Sequence, residues 1–200
     1  MKTAAALATV LAIAISAVFH VTLGFRALTS EGVRRIRVAQ APLPVSTLAL
    51  LDAAGERRSL WRADPQVRAW LVTFIYTRCV SVCSALGSEF EQLQAGISSA
   101  DGVRLASVSF DRAHDSPAAL AAYAKRNHAD PGRWLVAVPQ TQAGLARLLK
   151  EMGVVAIDDG AGGYAHNAAI HVVTPSGRLV ALFDLERHDE ALAFARRLER

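Results

Sequence analysis

The chain has 200 residues, 52% of them apolar and 20% charged, enough for one ordinary domain plus a tail, which excludes a disordered chain or a coiled coil. Thirteen glycines and seven prolines without a fixed period, and the lack of any solenoid-length repeat, exclude collagen-like, low-complexity and repeat architectures. The net charge of +4 arises from basic residues interleaved with acidic ones, and the one tight cluster, Arg34, Arg35 and Arg37, has no alternating aromatics, so no nucleic-acid partner is expected.

After Lys2 no charged residue occurs until Arg26. A bilayer span needs about 20 apolar residues and the core of a cleavable signal about 7 to 15, so residues 1–26 are read as a transmembrane anchor or uncleaved signal. Cutting at the Ala-x-Ala pattern of Ala12 to Ala14 would leave an apolar stump from Ile15 to Phe25. The arginines that follow the span would, on the positive-inside rule alone, place the rest of the chain in the cytoplasm. Residues 27–44, Arg-rich and then Pro-punctuated, read as a tether, and residues 45–200 as the domain.

Within the domain, Val45 to Leu51 is a predicted strand, Asp52 to Gly55 a turn, and Ser59-Leu60-Trp61 the start of the return. Ala69 to Tyr76 is apolar on both faces and rich in β-branched and aromatic residues, the pattern of a central buried strand. Leu86, Phe90 and Leu93 recur at helical spacing between Val82 and Ala95. Val103 to Phe110 is the next strand, and Asp115-Ser116-Pro117 announces a helix over Ala118 to Asn127. A strand at Trp134 to Val138 and a helix at Gln142 to Met152 follow. The chain closes with a hairpin, Ala168 to Thr174 and Leu179 to Phe183 about Pro175-Ser-Gly177, and a helix from Asp189 to Leu198. This order predicts an α/β fold, a thioredoxin-like mixed sheet flanked by helices.

Two cysteines cannot form a disulfide scaffold, but Cys79 and Cys83 have the spacing of a redox dithiol or of two metal ligands. They lie where the chain leaves a central strand and enters a helix, and a helix N-terminus lowers a thiol pKa. Two thiolates make a soft site suited to Cu(I), and an added imidazole admits Cu(II). Among six histidines, His20 lies in the apolar span, and His114, His128 and His188 stand in charged, surface-like contexts. His166 ends the Gly-rich segment from Asp158 to Tyr164, which reads as a mobile loop at a sheet edge and makes it the candidate third ligand. His171, an odd number of residues on, is expected on the opposite face. Asp111 and Asp115 read as a turn and a cap.

Three segments together resemble the SCO/SenC copper chaperones. They are Phe74-Ile-Tyr-Thr-Arg-Cys79-Val-Ser-Val-Cys83, Ser107-Val-Ser-Phe-Asp111-Arg-Ala-His-Asp115-Ser-Pro117, and Tyr164-Ala-His166-Asn-Ala-Ala-Ile170 followed by Thr174-Pro-Ser-Gly177. The resemblance covers about residues 45–200. It implies a membrane-tethered metallochaperone that binds copper, as Cu(I) and also Cu(II), through Cys79, Cys83 and His166. Asp111 and Asp115 would be supporting residues, not ligands. It further implies assembly of the dinuclear copper site of cytochrome c oxidase subunit II, a copper donor, and a thiol reductant that keeps the pair reduced. Because such proteins act outside the cytoplasm, it places the domain on the periplasmic side of the inner membrane, against the arginine count. The chain departs from the pattern at Val80 and Ser84, where proline is usual, and at Ala165, where an acidic residue is usual. The segment between Met152 and His166 is also short. These departures favour an alternative, a thiol-disulfide oxidoreductase in which Cys79 and Cys83 exchange with a client disulfide. A thiol peroxidase is disfavoured by Tyr76, where threonine would stand three residues before the first cysteine. An anchored assembly protein with an inert disulfide is the non-catalytic reading.

Overall fold

Residues 69–75, Ala-Trp-Leu-Val-Thr-Phe-Ile, are apolar at nearly every position, and such a strand is soluble only with both faces covered. A computed structural model describes residues 2–61, 66–79, 82–160 and 162–199, apart from the side chains at positions 4, 5 and 82–85. The chain divides into two compact units, Met1–Ala41 and Pro42–Arg200.

The first unit holds helices α1 (Lys2–Val21) and α2 (Ser30–Gln40). The apolar run folds as α1 and exposes its aliphatic side chains, Leu7 and Val21 among them. Among the described residues no helix is long and apolar enough to cross a membrane, so the expected span rests on the sequence alone. The tether is not an extended linker. Thr29 caps α2, its hydroxyl accepting from the Gly32 amide at 3.0 Å, and Glu31 forms a forked pair with Arg34 at 2.9 Å, so part of the basic cluster is neutralised within one helix.

The second unit is built on an eight-stranded sheet, β1 (Leu43–Pro44), β2 (Ala49–Asp52), β3 (Arg57–Ser59), β4 (Ala69–Ile75), β5 (Val103–Ser109), β6 (Trp134–Pro139), β9 (Ile170–Val173) and β10 (Arg178–Phe183). A separate pair, β7 (Ala156–Asp158) and β8 (Tyr164–His166), stands apart from it. The order in the large sheet is β1-β10-β9-β4-β5-β6-β2-β3, with β4, β5 and β6 parallel and the other pairings antiparallel, the mixed sheet expected of a thioredoxin-like domain. Four further helices are α3 (Val82–Gly96), α4 (Pro117–Arg126), α5 (Gln142–Met152) and α6 (His188–Arg197). Helices α3 and α6 pack on each other and on β4, while α4 and α5 pack on β6. Trp134 is 1% exposed, with its ring 5.6 Å from Phe90 and 6.5 Å from Tyr123 and its indole N–H donating to the buried Ser107 hydroxyl at 2.9 Å.

Of the strand expected over Val45 to Leu51 only the end is strand, as β2 from Ala49, while Leu43–Pro44 at the close of the expected tether pairs as β1 on the opposite flank of the sheet. Six strand spacings separate β1 from β2, about 29 Å in a flat sheet. The five Cα steps from Pro44 to Ala49 reach about 18 Å at most. The sheet is therefore strongly curled. The crossing is fixed by Glu151, which accepts from the Ser46 amide and hydroxyl, both at 2.7 Å, and by the Trp61 indole, which donates to the Ser46 carbonyl at 3.2 Å.

Candidate metal centre

Because β4 and β5 run parallel and in register, their carboxyl ends open side by side, where α/β folds place their chemistry. The chain leaving β4 turns immediately, the Cys79 amide donating to the Tyr76 carbonyl at 3.3 Å. The chain leaving β5 turns more tightly, the His114 and Asp115 amides both donating to the Asp111 carbonyl, at 3.1 and 2.9 Å.

Two buried carboxylates fasten these turns together. Asp115, 1% exposed, accepts from the Thr77 amide at 2.9 Å, the Thr77 hydroxyl at 2.6 Å and the Ser109 hydroxyl at 2.6 Å. Asp111, 2% exposed, accepts from Arg78 Nη2 and from His114 Nδ1, each at 2.8 Å. Burial alone would raise the Asp111 pKa, but the hydrogen bonds and positive charge of Arg78 and His114 outweigh it and hold the carboxyl below its ordinary value. The cap of α4 is Ser116, its hydroxyl accepting from the Ala119 amide at 3.3 Å, with Pro117 in the first turn. Asp115 is thus not a cap, since both of its oxygens are turned to the cysteine turn and to Ser109.

His166 does not sit on a loose loop. It ends β8, and the glycine-rich segment closes as the turn of a hairpin: the Gly160 amide donates to Asp158 at 2.7 Å and the Gly163 amide to Asp159 at 2.9 Å. Asn167 staples the hairpin base, accepting from the Val155 amide at 2.7 Å and donating to the Gly153 carbonyl at 3.0 Å. Strand alternation turns Tyr164 and His166 to one face and Ala165 to the other. On that face the His166 ring lies 5.2 Å from Phe110 and 6.3 Å from Tyr76. Both imidazole nitrogens are buried without a hydrogen-bond partner. Burial holds the His166 pKa below the ordinary histidine value, opposed by a smaller pull from the Asn167 backbone, which stays outside hydrogen-bond geometry. Leaving ring nitrogens dry and unpaired is unfavourable unless something else binds them, and a neutral imidazole is the form that ligates metal.

The structure thus brings the Cys79 turn and His166 together across one residue, Tyr76. Cys83 is the second residue of α3; its side chain and that of Ser84, and the whole of Val80, lie outside the described residues. Among the described residues no group of three or more His, Cys, Asp or Glu is gathered to hold a metal.

The other histidines sort differently from their sequence contexts. His114 is half-exposed but belongs to the Asp111 and Arg78 cluster. His188 is mostly buried, its Nδ1 2.5 Å from Glu89, while His128 is exposed beside Glu91. His171 is buried within β9, its nitrogens 3.2 Å from the Met152 carbonyl and 3.3 Å from that of Val72. Because β8 and β9 belong to different sheets, the odd spacing from His166 does not set which way His171 faces. Residues that sequence reasoning missed are Thr77, Arg78, Ser109 and the rings of Tyr76, Phe110 and Tyr164. All flank the cysteine, aspartate or histidine segments, and their proximity in sequence is the signal that could have found them.

A family model described as SCO1/SenC matches residues 40–199. No curated protein matches the chain at the significance required. Among solved structures, ScoI from Bradyrhizobium japonicum with copper bound is 26% identical, with a TM-score of 0.63 over 78% of this chain and 99% of that one. BsSco, described as a member of the Sco family of cytochrome c oxidase assembly proteins with a disulfide switch, is 19% identical, with a TM-score of 0.63 over 78% and 93%. A SCO1/SenC family lipoprotein from Bacillus anthracis is 16% identical, with a TM-score of 0.68 over 80% and 98%.

Proposed function

This chain belongs to the SCO1/SenC family, and from that premise we propose that it is a copper metallochaperone whose ligands are Cys79, Cys83 and His166. The observation that carries the reading is the His166 imidazole, kept neutral and dry, with neither nitrogen satisfied, on a hairpin seated beside the cysteine turn. The copper-bound Bradyrhizobium protein supports the cargo, being similar over four-fifths of the chain. Copper is the protein's substrate here. Two thiolates suit Cu(I), and the imidazole makes room for Cu(II). Asp111 and Asp115 act on the site by fixing the turn that carries Cys79, without touching the metal.

The recipient is the dinuclear copper site of cytochrome c oxidase subunit II, a reading supported by what the BsSco description says of its family. The domain works on the periplasmic face of the inner membrane, held by the uncharged N-terminal run, with a copper donor and a thiol reductant as upstream partners. Support for the tether is the uncharged run between Lys2 and Arg26, together with the lipoprotein description of the Bacillus anthracis relative. A second reading, reduction of client cysteines by the Cys79 and Cys83 pair, is favoured by the disulfide switch described for BsSco.

Anaerobic copper titration of the reduced full chain in mild detergent separates the two. Metallochaperone chemistry gives one equivalent of copper bound, a sulfur-to-Cu(II) absorption band, and loss of that band in Cys83→Ala and His166→Ala. Binding unchanged in both variants, or no binding, overturns the three-ligand site and leaves disulfide exchange.

A further inference from the structure

His166 and the cysteine turn lie in different parts of the chain, and no hydrogen bond orients the imidazole. A ligating histidine ordinarily has its ring direction fixed by a partner on its second nitrogen. Here aromatic packing takes that role. Tyr76 is 7% exposed and reaches both halves of the site. Its carbonyl accepts from the Cys79 amide at 3.3 Å, closing the cysteine turn. Its hydroxyl accepts from the Tyr164 amide, also at 3.3 Å, two residues before His166. Its ring meets Tyr164 edge-on at 5.2 Å and His166 at an interplanar angle of 81°, and Phe110, 5.5 Å from the Tyr76 ring and 5.2 Å from the imidazole, packs beside it. The hairpin turn comes close to the same segment: a Cβ on Gly163 would stand 3.3 Å from the Tyr76 hydroxyl, and one on Gly162 would stand 3.8 Å from Arg78.

We propose that Tyr76 is the positioning residue that couples the two halves of the centre: its ring sets the direction of the His166 imidazole and its hydroxyl anchors the β8 backbone to the strand that delivers Cys79. The inference rests on the copper-binding reading. Cu(I), satisfied by two thiolates, is nearly indifferent to Tyr76, whereas Cu(II), which draws on the imidazole, depends on it. Tyr76 thereby sets the preference between the two oxidation states.

The test uses the reduced full chain in mild detergent as wild type, Tyr76→Phe, Tyr76→Leu and His166→Ala. Cu(II) and Cu(I) ions are titrated separately by competition, and backbone hydrogen exchange at Tyr164 and His166 is measured without metal. Tyr76→Phe, which loses only the hydroxyl, weakens Cu(II) binding about fivefold and speeds exchange at Tyr164 by a similar factor, the effect of one ordinary hydrogen bond. Tyr76→Leu weakens Cu(II) further, and Cu(I) affinity stays within about twofold in both, since neither thiolate is touched. If His166→Ala loses Cu(II) while both Tyr76 variants match wild type, the coupling is overturned and the copper site stands. Equal loss of Cu(I) and Cu(II) in the Tyr76 variants also overturns it, as general loosening of the fold. If His166→Ala binds like wild type, the copper reading fails, and unchanged exchange in Tyr76→Phe then removes the structural coupling as well.

Discussion

Replacing Asp115 tests whether the cysteine turn is held by the buried carboxylate or by the turn's own backbone. The Asp115→Ala variant leaves three donors without their acceptor: the Thr77 amide, the Thr77 hydroxyl and the Ser109 hydroxyl. Ser109 keeps one partner, because its oxygen still accepts from the Asp111 amide at 3.1 Å. A buried group that loses its partner costs about 1–3 kcal/mol, and because the two Thr77 donors are only part-buried and water can reach them, the three together cost about 3–5 kcal/mol, the lower part of the range. That is a large share of the roughly 5–15 kcal/mol that holds a domain folded. For a domain of this size it lowers Tm by roughly 10 °C. Asp115→Asn keeps one oxygen for the Thr77 amide, and its NH₂ can donate to a hydroxyl that has turned, so its cost is about 1–2 kcal/mol. Guanidinium unfolding followed by circular dichroism measures both, and the rate at which Cys79 is labelled by a thiol reagent in a Cys83→Ala background reports the turn itself. Labelling rises in the order wild type, Asp115→Asn, Asp115→Ala. A loss below about 0.5 kcal/mol for Asp115→Ala, or equal losses for the two variants, would refute the role assigned to the carboxylate.

Three further outcomes follow from the packing. Gly87→Ala in α3 drives a methyl into the side-chain oxygen of the buried Asn127, whose amide donates to the Tyr123 carbonyl at 2.9 Å; the clash costs about 2 kcal/mol or more, read by thermal unfolding, although alanine is the better helix former. Ser107→Ala strands the Trp134 indole N–H in the core and lowers stability by about 1–3 kcal/mol in denaturant titration, while tryptophan fluorescence reports the altered environment. The pKa of Asp111 is lower in the folded chain than its ordinary value of 3.8, so its carboxylate stabilises the fold above about pH 4, and that contribution is lost as pH falls through the folded value. Unfolding followed between pH 5 and pH 2 therefore shows a steeper loss for wild type than for Asp111→Asn, and parallel curves would contradict the assignment.

What was legible in the sequence is local. The both-faces-apolar pattern of residues 69–75, the helical spacing of Leu86, Phe90 and Leu93, and the Ser116-Pro117 start of α4 depend on neighbours within a turn or a strand, so they identify elements without knowledge of the rest. The mixed, helix-flanked sheet followed from the alternation of strands and helices. Helix α2 was missed because three arginines and the prolines beyond it outweighed a cap signal at Thr29 and a short apolar face. The three segments that carry the family resemblance were likewise readable in one dimension.

Tertiary structure decided how those segments meet. Tyr76 and Tyr164 are 88 residues apart, Thr77 and Asp115 are 38 apart, and no local pattern records either contact. Nor does local pattern tell that residues 156–166 fold as a separate hairpin, since its short strands carry no alternation distinct from a polar loop until a surface exists for them to lie on. Sequence alone determined the central strands and the helices packed on them and marked Cys79, Cys83 and His166 as candidate ligands, because propensity and periodicity act over a few residues. Only the folded chain decided that His166 is dry and unpaired, that Asp111 and Asp115 serve the cysteine turn, and that the sheet curls to join its flanks. Those properties come from burial and from hydrogen bonds that exist only between distant parts of the chain.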